Sequence, residues 1–294
     1  MNGILNILKP AAMTSHDVVG FVRRTLHIKK VGHAGTLDPA AMGVLPVFVG
    51  DATRLIEYAA DAHKTYRVHM RFGLLTDSGD DTGTIVRTQA FKPFSNERLE
   101  QVLTQFRGPQ QQIPPMYSAI KQQGQKLYQL ARQGIEVERK PRDIFIHAIR
   151  LLQQHEQALH LEVTCSKGTY IRTLIEDIAA ELDNCATMTF LLRTAVGQFT
   201  IDNAVTLEQL STDPVAQLLP AKLAVADLLP LVVSFNQAVR LAQGVATTVA
   251  GLSADISEEQ PLALYYEDTL FGIATLRQTR IKPLKILCMP QEKI

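Results

Sequence analysis

The sequence predicts an α+β fold, in which helices pack against a central sheet. Residues 65–72 carry apolar or aromatic side chains at every second position, which predicts a half-buried strand. Two further apolar stretches, residues 143–152 and 158–165, flank a short polar loop and are typical of paired strands. Thr14 and Ser95 each precede a helical pattern and are candidate N-caps. Strands and capped helices therefore alternate along the chain.

The composition indicates an ordinary folded protein. At 294 residues, the chain is long enough for one large domain and a smaller second one. Its residues are 46% apolar and 20% charged, as in typical globular proteins. No apolar run approaches the roughly 20 residues that cross a bilayer, and the N-terminus lacks the pattern of a secretion signal. We therefore expect a soluble, cytoplasmic protein without membrane contact.

The cysteines and the acidic residues do not predict a metal site. The three cysteines are widely spaced and form no C-x-x-C pattern, which disfavours zinc and disulfides. Cys165 falls on the apolar side of a predicted strand, so we interpret it as a core thiol rather than a nucleophile. Residues 76–83 are acidic, but the oxygen spacing and the later glutamate of a calcium loop are missing. We interpret this segment as a polar hairpin loop.

Charge is unevenly distributed, although the formal net charge is only +1. Residues 202–270 contain two basic and nine acidic side chains, whereas three segments elsewhere concentrate lysine and arginine. These segments contain Lys9, Arg23, Arg24, Lys29 and Lys30; Lys121, Lys126, Arg132, Arg139, Lys140 and Arg142; and Arg277, Arg280, Lys282 and Lys285. Basic segments attract phosphate groups, but each alone is more often a solvated surface. The charge pattern is therefore compatible with RNA binding without requiring it.

The most informative stretch is residues 31–46, V-G-H-A-G-T-L-D-P-A-A-M-G-V-L-P, which places one carboxylate, Asp38, in a glycine-rich turn. The glycines permit tight turns and close approach of the backbone. Pro39 biases Asp38 away from a helical conformation. Arg172 lies in the first turn of a predicted helix, where a cation opposes the helix dipole. We therefore expect it to pair with a nearby anion. Asp38 is therefore the candidate catalytic acid.

Residues 110–142 (the insertion) are too polar to form a core. They interleave basic residues with aromatic ones, among them Tyr117 and Tyr128. Such a composition suits contact with single-stranded or looped nucleic acid. The same composition is equally typical of an ordinary long surface loop, and composition alone does not decide between the two.

Six motifs, taken in order, resemble the TruB-type tRNA pseudouridine synthases. They are K-P-A-A-M-T-S-H-D-V-V (9–19), G-H-A-G-T-L-D-P-A-A-M-G-V-L-P (32–46), K-T-Y-R-V (64–68), T-D-S-G-D-D-T-G (76–83), P-M-Y-S-A-I-K with L-Y-Q-L-A-R-Q-G (115–134), and C-S-K-G-T-Y-I-R-T-L (165–174). The likeness covers residues 3–200 and is weaker beyond them. Ala12, Ala34 and Leu192 depart from the family pattern, but none of them is a proposed reacting residue.

The resemblance implies isomerisation of uridine to pseudouridine at position 55 in the T loop of tRNA, without cofactor or metal. The uracil is detached at N1, turned, and rejoined to the ribose through C5. By resemblance Asp38 is the nucleophile, Tyr66 is the base and stacking partner, and Arg172 pairs with Asp38. On its own, Tyr66 would be an ordinary core tyrosine. A guanidinium keeps a buried carboxylate ionised, as covalent catalysis requires.

The resemblance also implies substrate-binding residues. His33 matches a histidine that occupies the space left by flipped bases, and Lys9 and Tyr170 match positions that line the pocket. Leu192 stands where the family usually has an arginine, and we include it among the substrate-binding positions. The insertion matches the element that closes over the T loop.

The resemblance refines the fold class to a mixed, mostly antiparallel central sheet with flanking helices and a catalytic cleft. We expect this synthase domain at residues 1–225 and a small, β-rich, PUA-like RNA-binding domain at residues 231–294. The expected partner is tRNA, bound through its T arm by a monomer.

Three alternatives remain. The same cleft would serve a non-catalytic tRNA-binding or RNA-folding protein, which an intact set of catalytic residues disfavours. A guide-RNA-dependent synthase of the same superfamily is disfavoured because the sequence shows no basic tails. A carboxylate hydrolase would need a second acid, and the Asp38 motif offers none. The sequence leaves open whether Asp38 attacks the base or the sugar.

Overall fold

A computed structural model describes residues 1–122, 124–249, 252 and 256–291. The helices are α1 (Ser15–Leu26), α2 (Ile56–Asp61), α3 (Asn96–Gln105), α4 (Leu127–Ala131), α5 (Ile171–Glu181), α6 (Leu207–Thr212) and α7 (Phe235–Ala242). Short 3₁₀ helices span Gly50–Leu55, Ile201–Asn203 and Ala221–Val225. Within these ranges, no helix has the length and apolar character needed to cross a membrane.

The strands follow the same alternation with the helices that the sequence predicts. They are β1 (Gly3–Lys9), β2 (Val31–His33), β3 (Met42–Val49), β4 (Lys64–Phe72), β5 (Leu74–Thr76), β6 (Ile85–Thr88), β7 (Gly108–Gln112), β8 (Lys121–Gln122), β9 (Gln125–Lys126), β10 (Arg142–His155), β11 (Ala158–Cys165), β12 (Ala186–Val196), β13 (Phe199–Thr200), β14 (Leu229–Val232), β15 (Pro261–Tyr266), β16 (Thr269–Arg277) and β17 (Arg280–Ile286).

Among the described residues, nine strands form one large sheet. Its main path runs β1-β3-β12-β4-β11-β10-β7, with β2 paired to β3 and β13 paired to β12. The β3–β12 pair is parallel, and the other pairs are antiparallel. This arrangement confirms the predicted α+β class with a mixed, mostly antiparallel sheet.

The strand β4 shows how the sequence pattern sets the two faces of the sheet. Its alternate residues Tyr66, Val68 and Met70 are buried in one hydrophobic cluster, to which α3 and α5 also contribute. Arg67 and Arg71 lie on the opposite face and are exposed. Alternation with period two therefore separates a helix-covered face from a solvent-facing one.

Local signals account for several elements. Thr14 caps α1 with a reciprocal capping box, and the Ser95 side chain accepts a hydrogen bond from the N-terminus of α3. The predicted strand pair is confirmed as β10 and β11, and the polar loop at residues 76–83 connects the hairpin β5–β6.

The described residues beyond 228 form the small β-rich unit that the sequence predicts. Its sheet has the order β14-β15-β16-β17. Lys285 of β17 contacts the segment that follows β3: its Nζ lies 2.7 Å from Glu57 Oε1 and donates to the Arg54 carbonyl at 2.8 Å. The two sheets therefore touch through residues 50–61. Residues 292–294, at the end of the predicted C-terminal domain, lie outside the described residues.

Candidate active site

Asp38 lies in the loop between β2 and β3, residues 34–41 (the Asp38 loop). On one side of Asp38, the buried Ser15 hydroxyl accepts from the Leu37 N–H at 2.9 Å and contacts the Leu37 carbonyl at 3.3 Å. On the other side, the buried ammonium of Lys9 donates to the Pro39 carbonyl at 3.3 Å. Both chain neighbours of Asp38 are therefore held from within the protein.

Arg172 contacts Asp38, with 3.1 Å between Arg172 Nε and Asp38 Oδ2. Arg172 lies in the first turn of α5 and its side chain is 6% exposed, whereas 37% of the Asp38 side chain remains accessible. Its two terminal nitrogens donate to the carbonyls of Ser78 and Tyr117, both at 2.8 Å. The guanidinium is therefore fixed on three sides, while part of the carboxylate remains accessible to solvent.

Burial and charge act in opposite directions on Asp38. Burial raises the pKa of its carboxyl, Arg172 opposes this rise, and the nearby Asp80 adds to it. The net direction is upward. The sequence-based expectation that the guanidinium keeps the acid ionised is therefore only partly met, because Asp38 ionises at a higher pH than a solvated aspartate.

Tyr66 stands near Asp38 as a neutral phenol. Its side chain is 8% exposed and shares a hydrophobic cluster with Leu37 of the Asp38 loop. In the sheet it pairs with Val163 of β11 and Arg193 of β12. Burial raises the pKa of Tyr66, and Arg193 acts against that rise. Tyr66 therefore keeps its proton at neutral pH and is suited to stacking and hydrogen bonding.

Lys9 lies beneath the Asp38 loop. Its side chain is completely buried, and Nζ donates to the carbonyls of Pro10 at 2.8 Å, Met13 at 2.5 Å and Pro39 at 3.3 Å. These three acceptors match the three N–H groups of an ammonium. Burial lowers the pKa of Lys9 to about 8, and the charge of Asp38 opposes this. Lys9 therefore anchors the Asp38 loop, and its contact with substrate stays a prediction.

Tyr170 joins helix α5 to the insertion. Its backbone N–H donates to Gln112 Oε1 at 2.7 Å, and Gln112 Nε2 donates back to the Tyr170 carbonyl at 3.0 Å. Burial raises the pKa of the Tyr170 hydroxyl, and the Ser118 side chain in the insertion opposes this. The negative charge of Asp38 also raises this pKa. The structure thus brings Tyr170 close to Asp38.

His33 and Leu192 are placed differently from one another. His33 ends β2 at the start of the Asp38 loop, and burial lowers its pKa, so the ring is neutral near pH 7. Leu192 pairs with Arg67, and directly paired residues point to the same side of a sheet. Leu192 therefore lies on the exposed face, away from Asp38. Its neighbour Leu191 instead shares the cluster of Tyr66, and sequence reasoning missed it.

The insertion has its own small structure. It contains the hairpin β8–β9 and helix α4, whose Leu127 is 1% exposed. Two cations lie near the Tyr128 ring, with Lys126 Nζ at 5.6 Å and the Arg132 guanidinium carbon at 5.5 Å from the ring centroid. Tyr117 donates through its hydroxyl to Asp77 Oδ2 at 3.3 Å. An aromatic ring near cations is a suitable contact for a nucleotide, although the contacts within the chain do not require one.

Side chains of the acidic loop at residues 76–83 form hydrogen bonds within the loop itself. Asp80 Oδ1 accepts from the Ser78 hydroxyl at 2.8 Å, the Thr82 hydroxyl at 2.6 Å and the Thr82 N–H at 3.1 Å. Within the described part of the chain, no group of three or more His, Cys, Asp or Glu side chains has the arrangement of a metal site. The loop contributes the Ser78 carbonyl, which accepts a hydrogen bond from Arg172.

The fold of the protein resembles that of a solved structure. A chain in a crystal structure of a Cbf5–Nop10–Gar1 complex matches with a TM-score of 0.78 and 25% sequence identity, over 97% of this chain and 85% of that chain. The match extends over nearly the whole length of the protein, including its small C-terminal sheet.

Matches to family models and to named relatives show which family the chain belongs to. The description "TruB family pseudouridylate synthase (N terminal domain)" matches residues 23–171, and "tRNA pseudouridylate synthase B C-terminal domain" matches residues 172–224. A tRNA pseudouridine synthase B of Symbiobacterium thermophilum is 47% identical over 252 residues, or 85% of this chain and 84% of that protein. One of Clostridium tetani is 38% identical over 98% of this chain and its own full length. The chain therefore belongs to the TruB family of pseudouridylate synthases.

Proposed function

We propose that the protein converts uridine to pseudouridine at position 55 in the T loop of tRNA. The relatives described above are named tRNA pseudouridine synthase B, which supports tRNA as the substrate. The observation that carries the proposal is the contact between Arg172 and Asp38, because it orients a partly accessible carboxylate in a TruB-family chain.

In the proposed reaction Asp38 is the nucleophile and acts in its ionised form. The N1–C1′ bond breaks, the uracil turns, a C5–C1′ bond forms, and the proton on C5 leaves while N1 gains one. Substrate and product are isomers, so no oxidant or reductant is consumed. Attack on the uracil ring and attack on the ribose both satisfy this balance. Arg172 orients Asp38 and favours its charged form.

Tyr66 is proposed to stack on the uracil and to receive the C5 proton. Because burial raises its pKa, Tyr66 is not a phenolate at neutral pH. It must therefore pass its own hydroxyl proton to another acceptor as it takes the one from C5. Stacking does not depend on this transfer, since the neutral ring is sufficient.

Access to the uridine requires base flipping, because the target lies inside a folded loop. Unstacking costs a few kcal/mol, which contacts with the protein must offset. His33, at the mouth of the Asp38 loop, is proposed to occupy the vacated space, and Tyr170 to line the pocket. The insertion, with Tyr128 near two cations, is proposed to close over the T loop.

The C-terminal unit is proposed to act as a PUA-like RNA-binding domain from residue 231 onward. Lys285 already pairs with Glu57, and Arg277 lies 3.3 Å from Glu259. Arg280 and Lys282 are exposed and are therefore the proposed phosphate contacts of β17. We further propose that the protein acts as a monomer in the cytoplasm, and light scattering with and without tRNA tests the oligomeric state.

Tritium release tests the reaction directly. A T-arm transcript labelled at C5 of uridine should release tritium with the wild type and not with Asp38→Asn. Asp61→Asn, which changes an exposed carboxylate paired with Lys167, should retain activity. Replacing uridine 55 by cytidine should abolish release if the reaction is confined to that position.

The competing function is a non-catalytic tRNA-binding or RNA-folding protein with the same cleft. Tight binding of the transcript by the wild type without any release of tritium would favour that function. Undiminished release by Asp38→Asn would show that another residue is the nucleophile.

A further inference from the structure

Arg193 is the largest of the almost completely buried side chains among the described residues, with 1% exposure. A buried guanidinium is unfavourable unless its N–H groups find acceptors. Its Nε donates to the Val44 carbonyl at 2.8 Å, and one terminal nitrogen donates to the Gly35 carbonyl at 3.1 Å. No carboxylate in the described part of the chain forms an ion pair with it. Packing alone does not explain why a cation without a counter-ion is buried at this position.

The location of Arg193 supplies that reason. It lies on β12, between β3 and β4, and its two acceptors belong to β3 and to the Asp38 loop. On β4 it pairs directly with Tyr66, and side chains paired in this way point to the same face about 5 Å apart. One guanidinium therefore connects the loop that carries Asp38 with Tyr66.

The chemistry of a guanidinium fixes which group is the donor in the contact between Arg193 and Tyr66. Arginine donates hydrogen bonds and accepts none. A tyrosine oxygen beside it can only accept from it, so the hydroxyl hydrogen of Tyr66 is turned towards another acceptor. The same cation lowers the pKa of Tyr66 against the effect of burial. Lysine, with a compact ammonium, cannot span the acceptors on β3 and the loop in the same way.

We infer that Arg193 is a positioning residue, which holds the Asp38 loop and the Tyr66 hydroxyl in one fixed arrangement. It does not touch the uridine. The inference rests on the proposed function, since it assigns Arg193 a part in that reaction. Misplacement of reacting groups by about 1 Å costs about 100-fold in rate, so the loss of such a tie should appear mainly in the chemical step.

The test compares Arg193→Lys and Arg193→Met with the wild type in the full chain. The single-turnover rate constant of tritium release should fall about 10- to 100-fold in Arg193→Lys, with the Kd for the transcript within about 2-fold. Leu241→Ala, a core change in α7 whose hydrophobic cluster contains neither Tyr66 nor any residue of the Asp38 loop, is the control for lost stability and should keep the wild-type rate. In a Tyr66→Phe background, Arg193→Lys should lower the rate much less than in the wild type.

Amide hydrogen exchange gives a readout that is independent of activity. Residues 34–41 should exchange faster in Arg193→Lys, and not in Leu241→Ala. The inference is overturned by a folded Arg193→Lys with a rate within 2-fold of wild type, by equal losses in both backgrounds, or by unchanged exchange in the loop. If the wild type releases no tritium, the proposed function fails, while the exchange measurement still decides whether Arg193 holds the loop.

Discussion

The guanidinium of Arg172 joins Asp38 to two other parts of the chain. Its Nε lies 3.1 Å from Asp38 Oδ2, and its terminal nitrogens donate to the Ser78 and Tyr117 carbonyls. Ser78 belongs to the loop of the hairpin β5–β6, and Tyr117 belongs to the insertion. The carboxylate is thus oriented by a side chain that is itself held by two loops.

Replacing Arg172 should therefore change the pH dependence of the reaction. Arg172 opposes the rise in the pKa of Asp38, so Arg172→Gln should raise this pKa further and move the acid limb of kcat/KM to higher pH. Activity at pH 7 should fall by about 100-fold or more, because orientation is lost as well. The measurement is tritium release from pH 5 to 9.

Arg67→Gln is the matched control for this prediction. Arg67 lies on the opposite face of the sheet, with its side chain 56% exposed and Nε 3.2 Å from Glu162 Oε2. Its loss should leave the acid limb unchanged. An acid limb that stays in place in Arg172→Gln would contradict the assignment of that limb to Asp38.

Glu176 should make stability depend on pH. Burial and the neighbouring Asp177 raise its pKa from 4.5 to about 7. Between these values the folded state binds more protons than the unfolded state, so the free energy of unfolding falls as pH rises. The contribution is fully present below pH 4.5 and is lost as pH rises through about 7. Glu176→Gln should therefore gain stability relative to wild type between pH 5 and pH 8, as measured by urea unfolding.

The control is Glu181→Gln, at the C-terminal end of α5. Its side chain is 54% exposed, so its replacement should leave the pH dependence of the wild type unchanged. Parallel stability curves for the wild type and Glu176→Gln would show that Glu176 does not resist ionisation in the folded state.

Gly43 should not tolerate a side chain. Its φ is +116°, and an added Cβ would lie 2.1 Å from the Arg193 carbonyl oxygen, where β3 and β12 run in parallel. Gly43→Ala should lower the free energy of unfolding by more than about 2 kcal/mol. Gly20→Ala, inside α1 with its nearest atom at 3.5 Å, should instead be neutral or stabilising by up to about 1 kcal/mol. Urea unfolding of both variants checks this, and equal effects would refute the close approach.

Thiol labelling should distinguish the three cysteines. Cys165 and Cys185 are buried, and Cys288 is exposed. Burial raises the pKa of Cys165 to about 11, which keeps it as an unreactive thiol at neutral pH. A thiol reagent at pH 8 should modify one cysteine rapidly in the native protein and three after unfolding. Cys288→Ser should remove the rapid reaction; a rapid reaction that persists would mean that a buried cysteine becomes accessible.

Where the sequence carries a regular pattern, the fold could be predicted from it. The alternation along β4, the pair β10–β11 and the caps of α1 and α3 each result from local preferences of the backbone and from one buried face. The family resemblance, confirmed by the comparisons, supplied the mixed, mostly antiparallel character of the central sheet, which local patterns do not determine.

The central strand β12 could not be predicted in this way. It has two irregularities in its pairing with β4 and carries a buried arginine, so its sequence does not alternate. The position of Leu192 depends on this register, and one residue decides which face it occupies. The roles of Lys9 and Arg193 depend on carbonyl acceptors distant in sequence, which no motif reveals.

The course of the chain around the insertion has a practical consequence. Gln112, at the end of β7, pairs directly with Arg142, at the start of β10, so the chain leaves and rejoins the sheet at adjacent positions. A tight turn between these two strands would close the same gap. A shorter or foreign loop grafted between Gln112 and Arg142 would therefore preserve the strand pairing, but it would have to supply a carbonyl in place of that of Tyr117, which accepts from Arg172.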